Sequence, residues 1–263
     1  LANGGADREV KITAAPGGYV VLNHNIRIDE TSLRGSYFAN LPLHLRAVAH
    51  LGFRFTGWEG RTGGPAFSMS LKPEGPHERT ALFEPLTHSL AEQLRISELS
   101  PSSTDGDWLE LFNGSEQTID LQGWVLTDRT HEVRLPKLEI RSGERLLLAE
   151  HPEKFTTKAN CHQLPFGLGK EEETIGLYSP EGAFVDLVQY DLAPPPGDFV
   201  LLPGNNGWYA EEGNGSPGRE NPLLHVGTVT GSSYWTRLAI GGAILLLVVL
   251  IRVYTASEPT KAP

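Results

Sequence analysis

The sequence predicts an all-β chain that ends in one apolar segment long enough to cross a membrane. Three observations carry that reading. Short alternating or β-branched runs recur at roughly ten- to fifteen-residue spacing, separated by Gly, Pro, Asn and Asp, as antiparallel β modules require. Outside the carboxyl end, no stretch keeps a helical period over ten positions; the best is HSLAEQL, His88 to Leu94. Near the carboxyl end, Leu238 to Ile251 reads LAIGGAILLLVVLI, without a single charge.

The strand signals fall into two blocks. The first holds Glu9–Ala14, Tyr19–Leu22, Leu43–Ala49, Phe53–Thr56, Phe67–Leu71 and Arg79–Phe83. The second holds Arg95–Leu99, Trp108–Asn113, Trp124–Asp128, Glu144–Leu148, Thr174–Tyr178, Ala183–Tyr190 and Phe199–Leu202. Phe83 closes a strand and Pro85 interrupts it, so residues 1–85 read as one module and 86–94 as a linker. The second module spans 95–222, because strand signals stop after Asn221-Pro222. In WLELFN, Trp108, Leu109, Leu111 and Phe112 surround Glu110, which predicts a strand buried on both sides. Asn113-Gly114 suits a turn with positive φ, Gly123 before Trp124 a bulge or close approach, and Ser179-Pro180-Glu181-Gly182 a hairpin turn.

The 14-residue run at the carboxyl end gives only about 21 Å of helix, short of a bilayer core of about 30 Å. Its flanks complete it. Tyr234 to Tyr254 reaches about 31 Å, with Tyr234, Trp235 and Tyr254 at interfacial positions and Arg237 and Arg252 placed to snorkel. We read 234–254 as a transmembrane helix, 223–233 as a polar tether and 255–263 as a short tail; a buried core helix and an interfacial helix are the alternatives. Arg252 and Lys261 against Glu258 favour the tail inside and the β modules outside the cytoplasm. Neither a Pro-Glu-Pro nor a Leu-Pro-x-Thr-Gly sorting motif precedes the span. The chain opens on Leu1 rather than Met, so it reads as a fragment or a processed product.

Composition narrows the function. Lys and Arg total 22 against 32 Asp and Glu, a net charge of −10 that disfavours nucleic-acid binding. A single cysteine excludes an intramolecular disulfide framework and a multi-cysteine zinc site.

In the second block, ISELSPSSTDGDWLELFN (Ile96 to Asn113), IDLQGWVLTD (Ile119 to Asp128), LPKLEIRSGERLLLAE (Leu135 to Glu150), ETIGLYSPEGAFVDLVQY (Glu173 to Tyr190) and NGSPGRENP (Asn214 to Pro222) follow in order. This series resembles a bacterial lamin-tail domain, which implies an immunoglobulin-like β-sandwich; the family's closing motif is altered here to Ser216-Pro217-Gly218 and Asn221. Residues Lys154 to Leu164, with Cys161, read as a variable loop. The first block carries LHLRAVAHLGFRFTGWEG (Leu43 to Gly60), FSMSLKP and TALFEP, with Gly52, Phe53, Phe55, Trp58, Ala81 and Phe83 at the pattern positions. It is similar to B-repeat-like β modules of bacterial surface proteins. The two together resemble the region after the kinase-like domain of some CotH-type spore-coat proteins.

Residues able to do chemistry are scattered. None of the nine histidines forms HExxH or another i,i+4 zinc pair; His44 and His50 share a strand face. Asp105-Gly106-Asp107 lacks the rest of a calcium loop, Glu171-Glu172-Glu173 is a solvated charge run, and Gly167-Leu168-Gly169-Lys170 lacks phosphate-loop spacing. Cys161-His162 has no orienting third group. Trp58, Trp108, Trp124 and Trp208 occupy strand positions that usually face a core, and Trp208-Tyr209, beside turn formers, is the candidate exposed binding pair. No catalytic, cofactor or metal residue is predicted. The expectation is a non-enzymatic, membrane-anchored surface region for adhesion, spacing or ligand capture. Its expected partners are membrane lipid and a surface protein or polysaccharide. The alternative is an accessory region of a CotH-type kinase whose catalytic part lies before Leu1.

Overall fold

The computed structural model describes residues 7–38, 41–59, 66–72, 77–128, 130–155, 160–204 and 207–221. In chain order the first strands are β1 Asp7–Ala14, β2 Gly18–Leu22, β3 Ile26–Ile28, β4 Leu33–Phe38, β5 Leu43–Ala49, β6 Phe53–Trp58, β7 Ser68–Leu71 and β8 His77–Pro85. Next come β9 Leu94–Ser102, β10 Trp108–Asn113, β11 Ile119–Asp120, β12 Val125–Thr127, β13 Glu132–Arg134, β14 Glu139–Ile140 and β15 Arg145–Ala149. The series ends with β16 Cys161–Gln163, β17 Glu172–Tyr178, β18 Phe184–Asp191, β19 Phe199–Gly204 and β20 Gly207–Glu212; a 3-10 turn, Pro152–Phe155, interrupts it. The fold is all-β, as the alternation and turn chemistry predict.

The chain divides into two compact units. One gathers the residues up to Arg95 with 113–142 and 176–186; the other gathers 96–112, 143–175 and the residues from Leu187 on. Within the first unit, two four-stranded sheets, β4-β1-β8-β6 and β3-β2-β5-β7, enclose one core. Val10, Ile12, Val20, Leu22, Leu45, Phe55, Trp58 and Ala81 fill it, each 5% exposed or less. Alternation does this work: in β5, LHLRAVA, Leu43, Leu45 and Ala47 point inward while His44 and Arg46 stay exposed. β1 and β8 run parallel, a pairing that the linear series of hairpin-like runs did not suggest. The same unit holds the β11-β14 ladder and the β12-β13 hairpin, which belongs to a sheet ordered β13-β12-β17-β18.

The second unit is built on a six-stranded sheet ordered β16-β15-β10-β9-β19-β20. β10 is buried on both faces, as WLELFN predicts: Leu109 and Leu111 are fully buried on one, Trp108 and Glu110 on the other. On the Trp108 face, Leu147, Ala149, Val200 and Leu202 join it, and Phe155 from the 3-10 turn packs over them. The segment Lys154–Leu164, read from sequence as a loop, therefore contributes the end of that turn and edge strand β16, which pairs in parallel with β15.

Local differences have local reasons. His88–Leu94 is a run of turns, with a lone helix-type bond from Leu94 N to Leu90 O (2.9 Å) and Glu92 at φ +70°, because three apolar side chains cannot sustain an amphipathic face. At Asn113-Gly114, the Asn side chain builds the turn. Its Oδ1 accepts from Ser115 N (2.9 Å), and its Nδ2 donates to Gln117 O (2.7 Å) and Ile140 O (2.9 Å). Gly182 takes φ +82° in the Ser179–Gly182 turn, closed by Ser179 N to Ala183 O at 2.9 Å. Strands β3, β4 and β20 escaped the sequence reading because Gly35 and Gly207 dilute their patterns and β3 is three residues long.

Tether 223–233, predicted span 234–254 and tail 255–263 lie outside the described residues. Among the described residues, no helix is long and apolar enough to cross a membrane.

Candidate functional site

The most organised polar cluster lies on the Trp108 face of the six-stranded sheet. Strand period places Glu110 on the same face as Trp108, and Glu98 on β9 beside it. Both glutamates are fully buried. A buried carboxylate must find donors, and these come from the closing loop, residues 213–221. Glu98 accepts from Ser216 N (2.8 Å) and Ser216 Oγ (2.9 Å). Glu110 accepts from Gly218 N (2.6 Å) and from Ser97 Oγ (2.7 Å), with Arg145 Nε 3.1 Å from Oε1. Asn221 completes the arrangement by donating Nδ2 to Ser97 O (3.3 Å). Gly215 sits against the cluster at φ +64°, and a Cβ there would lie 2.2 Å from Glu98 Oε1. The Gly-Ser-Pro-Gly sequence is thus the one that lets backbone N–H groups reach two carboxylates.

Electrostatics follow the burial. Desolvation pushes Glu110 up to about 7, against the downward pull of Ser97, Gly218 and Arg145. Glu98 is also raised, by burial first and partly countered by Ser216. These carboxylates are spent on holding the chain together, so they act as pegs for the closing loop. Ser216→Ala removes the hydroxyl donor while leaving the backbone one, and is expected to destabilise the chain by about 1–3 kcal/mol. Urea denaturation of the wild type and the variant measures it.

The sequence-predicted pair Trp208-Tyr209 lies on β20, the edge strand of the same sheet. Register sets Trp208 opposite Pro203 and Tyr209 opposite Leu202, so the two rings point to opposite faces and do not form one platform. Tyr209 is exposed (37%) and Trp208 half-buried. Trp58, Trp108 and Trp124 are core: Trp58 Nε1 donates to Ala66 O (3.0 Å), and Trp124 meets the His88 ring at 5.3 Å. Predicted anchors Tyr234, Trp235, Arg237, Arg252 and Tyr254 lie outside the described residues.

The remaining candidates are occupied by structural contacts. Asp107 accepts from Leu168 N (2.7 Å), and burial raises its carboxyl. Cys161 and His162 share β16, but burial pushes the thiol up, away from thiolate character, and His162 Nε2 pairs with Asn160 Oδ1 at 3.0 Å. The buried glutamate clamp is the feature that sequence reasoning missed. Its signal was present in I-x-E, W-L-E-L and S-P-G-x-x-N, each containing one component.

A search of curated proteins finds no match. The B-repeat-like and CotH-type resemblances rest on sequence motifs alone. A solved structure described as a DUF4876 family protein from Bacteroides thetaiotaomicron is similar at 10% identity, over 74% of this chain and 66% of that one, with a TM-score of 0.22. The peg strands β9 and β10, the D-L-x-G-W stretch and β15 to β18 fall inside one further match: residues 87–191 fit the family model of the Lamin Tail Domain and form an immunoglobulin-like, all-β module of that kind.

Proposed function

We propose that the chain is a non-catalytic, membrane-anchored surface region whose β modules bind or space partners outside the cytoplasm. The observation that carries the reading is the lamin-tail match at 87–191, onto whose strands β9 and β10 the loop 213–221 is hydrogen-bonded. Beyond Asn221, the sequence moves through a polar stretch to the apolar run 238–251 with its aromatic and basic flanks. A β module tethered to a single span presents its surface without needing a reactive centre. Membrane lipid is then the partner of the anchor, and a surface protein or polysaccharide the partner of the modules.

The test is partitioning. The whole chain is expected to float with lipid vesicles and resist alkaline carbonate extraction. The chain ending at Ser233 is expected to stay in the supernatant with a β-type circular dichroism spectrum. Equal partitioning of the two forms would remove the anchor. External protease on intact cells is expected to digest the modules; full protection would reverse the topology.

A further inference from the structure

The two sheets of the first unit treat their charges differently. On the outer face of β4-β1-β8-β6, cations are matched: Lys11 pairs with Glu78, Arg34 with Glu9 (3.8 Å) and Arg54 with Glu84 (2.6 Å). On the outer face of β3-β2-β5-β7, Val21 lies directly between Arg27 and Arg46, and Arg46 opposes Ser68, so one row crosses all four strands. Two strand spacings separate the arginines, about 10 Å. His44 lies two residues from Arg46 on that face, with the His24 ring stacked on it at 5.7 Å between centroids. Tyr19 lies two residues from Val21; the Arg27 guanidinium rests 3.8 Å over its ring, and His50 packs against it at 5.6 Å. Lys72 follows β7, exposed. Asp29 lies 2.9 Å from Arg27 in an exposed pair worth little in water. A face that presents Arg27, Arg46 and Lys72 stands out on a chain of net charge −10.

We infer that this outer face, centred on Arg27, Val21 and Arg46, binds an acidic polysaccharide bearing carboxylate groups. The inference deepens the binding role proposed above. Arg27 is held flat on Tyr19, which fixes its guanidinium edge for a bidentate carboxylate and lets a ligand carboxylate replace Asp29. Arg46 stands exposed at the other end of the row. Val21 between them is buried under the row, and beside Arg46 the exposed, stacked rings of His24 and His44 offer a flat surface against which a sugar ring can lie. Spacing selects this ligand over nucleic acid: duplex DNA carries a charge about every 1.7 Å, far denser than two guanidiniums about 10 Å apart, and the acidic chain repels so dense a polyanion. A polyuronate spreads its charge more thinly and supplies sugar faces as well.

The experiment is affinity electrophoresis of the full chain in gels containing polygalacturonate, neutral dextran or neither, with duplex DNA and anionic phosphatidylglycerol vesicles as further probes. Polygalacturonate is expected to retard the wild type and dextran is not. Arg27→Gln/Arg46→Gln is expected to weaken retardation at least tenfold, and Arg46→Gln alone to weaken it partially if the double variant folds poorly. Arg54→Gln, on the charge-paired sheet, is expected to bind as the wild type does. No retardation by polygalacturonate, equal retardation of wild type and double variant, or Arg27- and Arg46-dependent capture of DNA or vesicles in its place would overturn the inference. Binding is read without reference to the anchor, so loss of vesicle flotation in the partitioning test leaves this result standing, and the reverse.

Discussion

Glu110 is expected to lower the unfolding free energy of the six-stranded unit by about 3.5 kcal/mol as pH rises from about 4.5 to about 7, and Glu110→Gln is expected to remove that share of the fall. The folded chain holds Glu110 at about 7, while an unfolded carboxyl titrates near its ordinary value of 4.5. Below 4.5 both states carry the proton and its contribution is full. Between the two values the unfolded chain has released the proton and the folded chain has kept it, so unfolding gains at each step. Above about 7 the loss is complete. Two and a half pH units at about 1.4 kcal/mol each set the magnitude. Glu98 and Asp107, both raised by burial, add in the same direction; Asp128, lowered through its hydrogen bonds to His131 and Thr130, opposes them. The difference between wild type and Glu110→Gln isolates the one group. The variant is expected to match the wild type near pH 4.5 and to exceed its stability at pH 8, where the neutral amide spares a buried charge. Urea titrations at four pH values measure this. A difference between the two proteins that does not change with pH would show that the Glu110 carboxyl titrates in the fold as it does in the unfolded chain.

That behaviour was only half legible in the sequence. The run WLELFN announced a strand with no solvent face, and a glutamate inside such a strand has to be compensated. Its partner could not be read, because Gly218 lies 108 residues away and Ser216 lies 118 residues from Glu98. Local pattern reports which positions are buried; only the order β10-β9-β19 and the return of the closing loop report what they meet. The same division holds in the first unit. Alternation placed His44 on the outer face of β5, but its stacking on His24 depends on β2–β5 register, set by core residues of both strands. Strands rich in Leu, Val and Ile were visible from composition. Edge strands such as β20, half exposed and opened by Gly207, carry too little apolar signal to be seen alone.

Two tryptophans in one sheet are expected to differ sharply when truncated. Trp108→Ala removes a side chain that is 1% exposed and packed among Leu147, Ala149, Phe155, Val200 and Leu202. The expected loss is about 3–5 kcal/mol, because the β strands around it cannot collapse into the void. Trp208→Ala acts on edge strand β20, where the ring is half-buried opposite Pro203, and is expected to cost about 1 kcal/mol. Urea midpoints of the two variants give the comparison directly. The contrast also separates packing from binding for the aromatic residues: Trp208 and Tyr209, on opposite faces of an edge, can be changed with the fold intact, whereas Trp108 cannot. Equal losses for the two tryptophans would mean that β20 is core rather than margin, and its exposed Tyr209 would then have to be counted with the packing of the sheet.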